Sequence, residues 1–112
     1  MSTEIFDASA ISGVLQQTEL VQYQTGSIVS RVLMKKPGGN VTAFAFDQGQ
    51  SLSEHTVPFD ALVLLIEGEA EISISIIAHH VRTGQILLLP AGQPHAVKAI
   101  TKFKMILIMI KA

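Results

Sequence analysis

Two histidines from separate parts of the chain offer the most suggestive chemistry in the sequence. His55 follows Gly49 after five intervening residues, and His95 follows a turn signal that contains Pro90 and Gly92. Neutral imidazole nitrogens bind transition metals, form hydrogen bonds and exchange protons near neutral pH. One such residue alone would be an ordinary core histidine, but the two stretches that contain these histidines resemble each other, since each has a histidine near a tight turn.

The elements that must position these histidines are predicted to be β-strands. Ile, Val and Thr make up 29 of the 112 residues, and side chains branched at Cβ fit pleated strands well. Turn signals separate runs of strand length and leave no room for the crossover helices of a parallel sheet. The sequence therefore predicts an all-β sandwich or barrel. The predicted strands cover residues 27–34, 41–46, 62–67, 70–77, 86–89, 95–100 and 104–110, with a turn at 78–80 that contains His79 and His80.

The apolar pattern of the strands predicts which faces are covered. In the 70–77 run, isoleucines alternate with polar residues, which indicates one buried and one hydrated face. Residues 62–66 and 105–110 are apolar at every position, so both of their faces should be covered. One cover is the barrel interior, and the other is the N-terminal segment or a second subunit. We therefore expect a homodimer.

The whole chain, residues 1–112, is expected to form a single domain, with a barrel over about 27–110. Residues 1–26 would form an N-terminal extension that packs on the barrel or on a partner subunit. Two local structures are compatible with this extension. Asp7 could cap a short helix, and residues 19–23 could form an edge strand.

Composition excludes several classes of function. The formal net charge is −1, which argues against a nucleic-acid partner, and the absence of cysteine rules out thiolate metal sites and cysteine nucleophiles. The apolar fraction of 48% and charged fraction of 15% are those of a folded protein. No signal peptide and no apolar run of about 20 residues is present, so we expect no membrane contact and a cytoplasmic location.

Two motifs carry a resemblance to a known family. The stretch Gly84-x5-Pro90-x-Gly92-x2-His95 and the spacing from Gly49 through His55 to Gly68 are similar to the two motifs of the cupins. The whole is most similar to small single-domain proteins of the cupin 2 conserved-barrel type. The resemblance implies a cupin-type double-stranded β-helix, also called an RmlC-like jelly roll. It also implies that both histidines line the barrel mouth.

The sequence departs from the cupin motifs at positions that usually bind metal. Val57 stands where a second histidine is usual, Ala61 where a glutamate is usual, and Ala99 where an asparagine is usual. The resemblance therefore implies a degenerate metal site, in which His55 and His95 remain. A loosely held divalent ion such as Zn, Ni, Fe or Mn would need a further ligand. Of the two nearby carboxylates, Asp60 is the preferred third ligand and Glu54 the alternative.

Three hypotheses of function remain. The first is a binding module for a small molecule, with or without a loosely held metal, at His55 and His95. The second is a metal-dependent enzyme, oxygenase or isomerase-like, acting on a small organic substrate, with Asp60 or Glu54 as ligand or general base. The third is a structural or regulatory dimer without a ligand. The first is preferred, and the sequence leaves open whether the protein is an enzyme. The expected ligand-binding residues are His55, Val57, His95, Phe44, Phe59 and Met105.

Overall fold

The computed structural model describes residues 2–5 and 13–112. These residues form ten β-strands and a short 3-10 helix at Gln17–Glu19, in two sheets with the orders β1-β2-β3-β10-β5-β8 and β4-β9-β6-β7. The all-β double-stranded β-helix predicted from the sequence is confirmed. The strands are β1 (Ser2–Ile5), β2 (Ile28–Lys36), β3 (Gly39–Phe46), β4 (Ser51–His55), β5 (Phe59–Glu67), β6 (Glu69–Ile74), β7 (Ile77–Arg82), β8 (Ile86–Leu89), β9 (His95–Ala99) and β10 (Phe103–Lys111).

The two sheets pack face to face around one apolar core. Phe46 and Phe103 stack with ring centroids 4.5 Å apart and are fully buried. Leu65 from the same sheet and Ile72 from the opposite sheet are buried beside them. These large side chains fill one end of the barrel, so any internal space must lie towards the other end.

One predicted strand was too long, and the turn after it was misplaced. The hairpin between β6 and β7 turns at Ser75 and Ile76, where Ser75 adopts a positive φ of 55°. The prediction of one strand over 70–77 followed by a turn at 78–80 is therefore wrong. His79 and His80 lie within β7, opposite Ile72 and Glu71 of β6. Because neighbouring side chains in a strand alternate, these two histidines face opposite sides of the sheet.

Gly68 makes the passage from one sheet to the other possible. It lies between β5 and β6 and has a φ of +84°. A Cβ at this position would lie 2.2 Å from the backbone oxygen of Lys102. Both its dihedral angle and this close approach require glycine.

The N-terminal segment covers part of the outer face of the six-stranded sheet. Val21 packs against Val29, Ala43 and Ala45. The buried Lys104 ammonium donates a hydrogen bond to the backbone oxygen of Thr18. The ammonium groups of Lys102 and Lys104 each lie 4.8 Å from the centre of the Tyr23 ring. The Tyr23 hydroxyl donates a hydrogen bond to the Glu67 carboxylate, and burial together with this contact raises the pKa of Tyr23.

The edge of this sheet differs from the prediction. Residues 19–23 are not a strand, and the edge is instead formed by β1, which pairs in parallel with β2. The expected helix cap at Asp7 lies outside the described residues. Among the residues that the structure describes, no helix is long and apolar enough to cross a membrane.

Candidate functional site

His55 and His95 face each other across a pair of neighbouring strands. His55 is the last residue of β4 and His95 the first of β9, and the antiparallel register places them directly opposite one another. Their ring centroids are 4.4 Å apart in an edge-to-face arrangement at 62°. A bulge between Leu52 and His55 adjusts the register that brings the rings together. The two imidazoles therefore form one pair.

The loop before His95 is tied to the loop after His55. Gly92 donates its backbone N–H to the carbonyl of Val57 at 3.0 Å. The backbone N–H of Ala91 donates to Oδ1 of Asp60 at 2.9 Å. Together these bonds connect the segment that precedes His95 to the loop after His55 and to the start of β5.

The histidine pair borders a cavity of about 410 Å³ between the two sheets. Its walls are mainly apolar, and Ser53, His55 and His95 are its polar residues among those the structure describes. A volume in this range is typical of small-molecule sites. The apolar lining residues are Phe44, Leu52, Val57, Ala61, Val63, Leu89, Val97, Met105, Leu107 and Met109.

The two imidazoles have different surroundings. Nδ1 of His55 lies 3.0 Å from the backbone oxygen of Ser53, and the residue is exposed at the cavity mouth. His95 is 8% exposed, and its Nδ1 is buried without a hydrogen-bond partner. Burial lowers the pKa of His95 below its ordinary value, and the neighbouring His55 lowers that pKa further. A backbone interaction with Gln93 acts in the opposite direction and raises this pKa. His95 is therefore neutral at pH 7.

The residues present do not fit a metal centre held by three or four protein ligands. Val57 and Ala61, at the positions of the missing ligands, both line the cavity with apolar side chains. In the ranges 2–5 and 13–112, no group of three or more His, Cys, Asp or Glu side chains could hold a metal ion. The pair offers two imidazole donors, which is fewer than structural or catalytic zinc sites use.

Most of the residues predicted from the sequence come together, but three do not. His55, Val57, His95, Phe44 and Met105 all line the cavity. Phe59 and Asp60 are not among its lining residues, and the Asp60 carboxylate is engaged with the Ala91 backbone. Glu54 also lies outside the lining and is exposed.

Several lining residues were missed at the sequence level. They include Leu107 and Met109, which follow the predicted Met105 at two-residue spacing along β10, and Ala61 and Val63, which alternate along β5. In a strand that is apolar at every position, the sequence does not show which alternate side chains face the inside of the barrel and which face outward. The signal available was Met105, whose inward direction fixes Leu107 and Met109 by the two-residue period.

The comparisons with known proteins agree with this geometry. A conserved protein of unknown function from Streptococcus pyogenes is 34% identical, with a TM-score of 0.89 over 100% of this chain and 96% of that one. A cupin 2 conserved barrel domain protein from Leptotrichia buccalis is 41% identical, with a TM-score of 0.81 over 84% of this chain and 46% of that one. A cupin superfamily protein from Desulfitobacterium hafniense is 26% identical, with a TM-score of 0.79 over 82% of this chain and 84% of that one.

Comparison of the amino-acid sequence with models of protein families identifies the family. No curated protein matches the chain. Residues 38–109 match the family model described as the AraC-like ligand binding domain. That range contains both histidines and every residue that lines the cavity. The chain belongs to the AraC-like ligand-binding domain family, within the cupin superfamily.

Proposed function

We propose that the protein binds a small, predominantly apolar molecule inside the barrel. The observation that carries this proposal is the 410 Å³ cavity, whose described walls hold no Asp, Glu, Lys or Arg. Burial of apolar surface away from water supplies most of the binding free energy at such a site, and a few polar groups orient the guest. His55 and His95 are those groups here. Membership of a ligand-binding domain family supports the same function.

Filling the cavity tests this function. Ala61 is buried and lines the cavity, so Ala61→Phe would place a ring in the space that the guest occupies. We expect the affinity for butylbenzene, measured by isothermal titration calorimetry, to fall at least about tenfold, a loss of roughly 1.4 kcal/mol. Leu52→Trp fills the same space from the opposite sheet, and it is the alternative variant if overpacking prevents Ala61→Phe from folding.

The matched control is Ala78→Phe, because Ala78 is exposed on β7 and does not line the cavity. This variant should bind butylbenzene as the wild type does. Equal affinity in the wild type and both filled variants, or no binding to the wild type, would overturn the proposal.

A loosely held divalent ion is the second candidate, favoured by the 4.4 Å spacing of the two rings. Two imidazoles would hold Zn, Ni, Fe or Mn, with water or an organic molecule completing the coordination. Such a site is what an oxygenase or isomerase-like enzyme would require. Elemental analysis and thermal shifts with each metal, on wild type and His95→Ala, test it. Stabilisation of both proteins to the same extent contradicts the site.

We also propose that the chain forms a homodimer through the outer face of the six-stranded sheet. The strand registers align an apolar row across five strands, roughly 19 Å wide at the usual strand spacing. Its ends are the most open, since Leu88 is 67% exposed and Met34 50% exposed. The described N-terminal segment packs on a different part of this face, around Val21. The row consists of Met34, Val41, Ile108, Leu62 and Leu88.

Light scattering coupled to size-exclusion chromatography tests the dimer. The wild type should elute with twice the monomer mass of 12.1 kDa. Leu88→Glu should shift it to the monomer, because a carboxylate cannot be buried unpaired in an apolar contact. Thr83→Glu, an exposed change away from the row, is the control. A monomeric wild type at micromolar concentration refutes the dimer.

A further inference from the structure

The cavity between the two sheets has one buried end and one end that reaches water. Strand β10 shows this along its length, because Met105 is 2% exposed, whereas Leu107 and Met109 are half-buried and line the same cavity. The fully buried Phe103 precedes them on this strand, at the filled end of the barrel. The lining residues of β10 therefore become more exposed from Met105 towards Met109.

The histidine pair lies at the same end of the barrel as Met109. Asp60, at the start of β5, pairs with Ile110, the residue that follows Met109. The carboxylate of Asp60 accepts a hydrogen bond from the backbone of Ala91, in the segment that leads into His95. The cavity therefore opens at the end of the barrel where β10 finishes and β9 begins.

Polar side chains surround this opening on both sheets. Ser53 and His55 of β4 line the cavity and are exposed. Asn40 of β3 is half-buried and pairs with Met109, and directly opposite residues in neighbouring strands share a face of the sheet. We call Asn40, Ser53 and His55 the rim. Apart from His95, the buried residues among the described cavity walls are apolar, namely Ala61, Val63, Leu89, Val97 and Met105.

A guest with one polar end suits this arrangement. A polar or charged group costs free energy when it is buried without a partner, but at the rim it can remain hydrated. An apolar body gains free energy when the buried walls cover it. Resting on the proposed function, we infer that the guest is an amphiphile with a single polar end. Its apolar body occupies the buried part of the cavity, and its polar end stays at the rim in contact with water.

Three probes that share one apolar body test this orientation. They are butylbenzene without a polar end, 4-butylbenzoate with a carboxylate at one end, and 4-(3-carboxypropyl)benzoate with a carboxylate at each end. Each is titrated calorimetrically into the wild-type protein at pH 7.5 with EDTA. We expect butylbenzoate to bind within about tenfold of butylbenzene, because its carboxylate stays hydrated. The dicarboxylate should bind at least about tenfold more weakly than butylbenzoate, because its second carboxylate would be buried without a partner.

Charge variants of the rim locate the polar end. Ser53→Glu should lower the affinity for butylbenzoate relative to butylbenzene by about fivefold, and Ser53→Lys should raise this ratio by about the same factor, as expected for two nearby charges in water. The matched controls are Ser51→Glu and Ser51→Lys, because Ser51 is exposed on the same strand and does not line the cavity. They should keep the wild-type ratio within about twofold, because their charges lie farther from the rim.

The outcomes separate this inference from the function on which it rests. If none of the three probes binds, the proposed function fails, and this inference fails with it. If butylbenzene binds but butylbenzoate binds more than about tenfold more weakly, apolar binding stands and the inference is overturned, because the cavity then encloses the whole guest. Binding of the dicarboxylate within about tenfold of butylbenzoate also overturns it. Ser53 variants that leave the ratio unchanged, or that shift it in the same direction, overturn it as well.

Discussion

His55 and His95 are far apart in sequence but face each other in space, whereas the neighbours His79 and His80 point to opposite faces of β7. His80 is exposed and bound to the Glu69 carboxylate at 2.9 Å. His95 is buried, and its Nδ1 has no partner among the described residues. The contrast shows that proximity in sequence says little about a shared site. What marks the site is a polar group that the fold buries and leaves unsatisfied.

The largest expected effect comes from giving the pair His55 and His95 the ligands that it lacks. Val57 and Ala61 both line the cavity, so Val57→His with Ala61→Glu would add an imidazole and a carboxylate beside the existing rings. Nickel or zinc affinity should then increase by on the order of a hundredfold, because four protein ligands replace two. Calorimetric titration with NiCl₂ measures the change.

The control for this double variant is Val57→Ile with Ala61→Val, which adds volume but no donor atom. It should bind nickel as the wild type does. Unchanged nickel affinity in the His and Glu double variant would mean that these positions do not converge on the histidine pair, and the comparison with His79 and His80 would lose its basis.

A smaller effect with an unusual sign is expected from removing the buried imidazole. His95→Leu replaces an unsatisfied polar group with an apolar one, so the free energy of unfolding should increase by about 1 kcal/mol. His80→Leu removes an exposed ion pair and should change stability by less than about 0.5 kcal/mol. Urea denaturation of both variants measures these values. A loss of more than about 1 kcal/mol in His95→Leu would show that the ring is structural.

The smallest expected effect is a pH dependence of stability that distinguishes the pair His55 and His95 from the pair His79 and His80. The pKa of His95 is lowered in the folded state, so the unfolded chain binds more protons once the pH falls below the ordinary value of about 6.5. The contribution of His95 to the free energy of unfolding should therefore be constant above this pH and decrease as the pH falls below it. Measurements between pH 7 and 5.5 cover this change. Thermal unfolding across that range measures the slope. His95→Leu should flatten it, whereas an unchanged slope would exclude His95 as its source.

Much of the fold could be predicted from the sequence, because period-two alternation and turn residues are local signals. The strand Ile86–Leu89 matches its predicted bounds, and Gly68 lies at a predicted turn. The β6–β7 hairpin was misplaced because Ile76 continues the apolar alternation through the turn. Ser75 adopts the positive φ there, where glycine or asparagine would have provided the usual signal.

The site could be predicted in part, for a different reason. The pairing of His55 with His95 followed from the motif resemblance, since no local pattern shows that β4 and β9 are neighbours. Of two candidate carboxylates, Asp60 is preferred over Glu54 as a third ligand on sequence grounds. Its carboxylate instead accepts a hydrogen bond from the Ala91 backbone. Such a contact depends on where another loop lies, which spacing along the chain cannot show.

The bond between Asp60 and Ala91, together with that between Gly92 and Val57, connects the segment between β8 and β9 to the start of β5 and to the loop between β4 and β5. These segments cannot move apart without breaking the hydrogen bond to the Val57 carbonyl or the one to the Asp60 carboxylate. Under the function proposed above, we expect the rates at which a guest enters and leaves to depend on the breaking of these two hydrogen bonds. Substitution of Asp60, which does not line the cavity, should then change these rates and leave the equilibrium affinity unchanged.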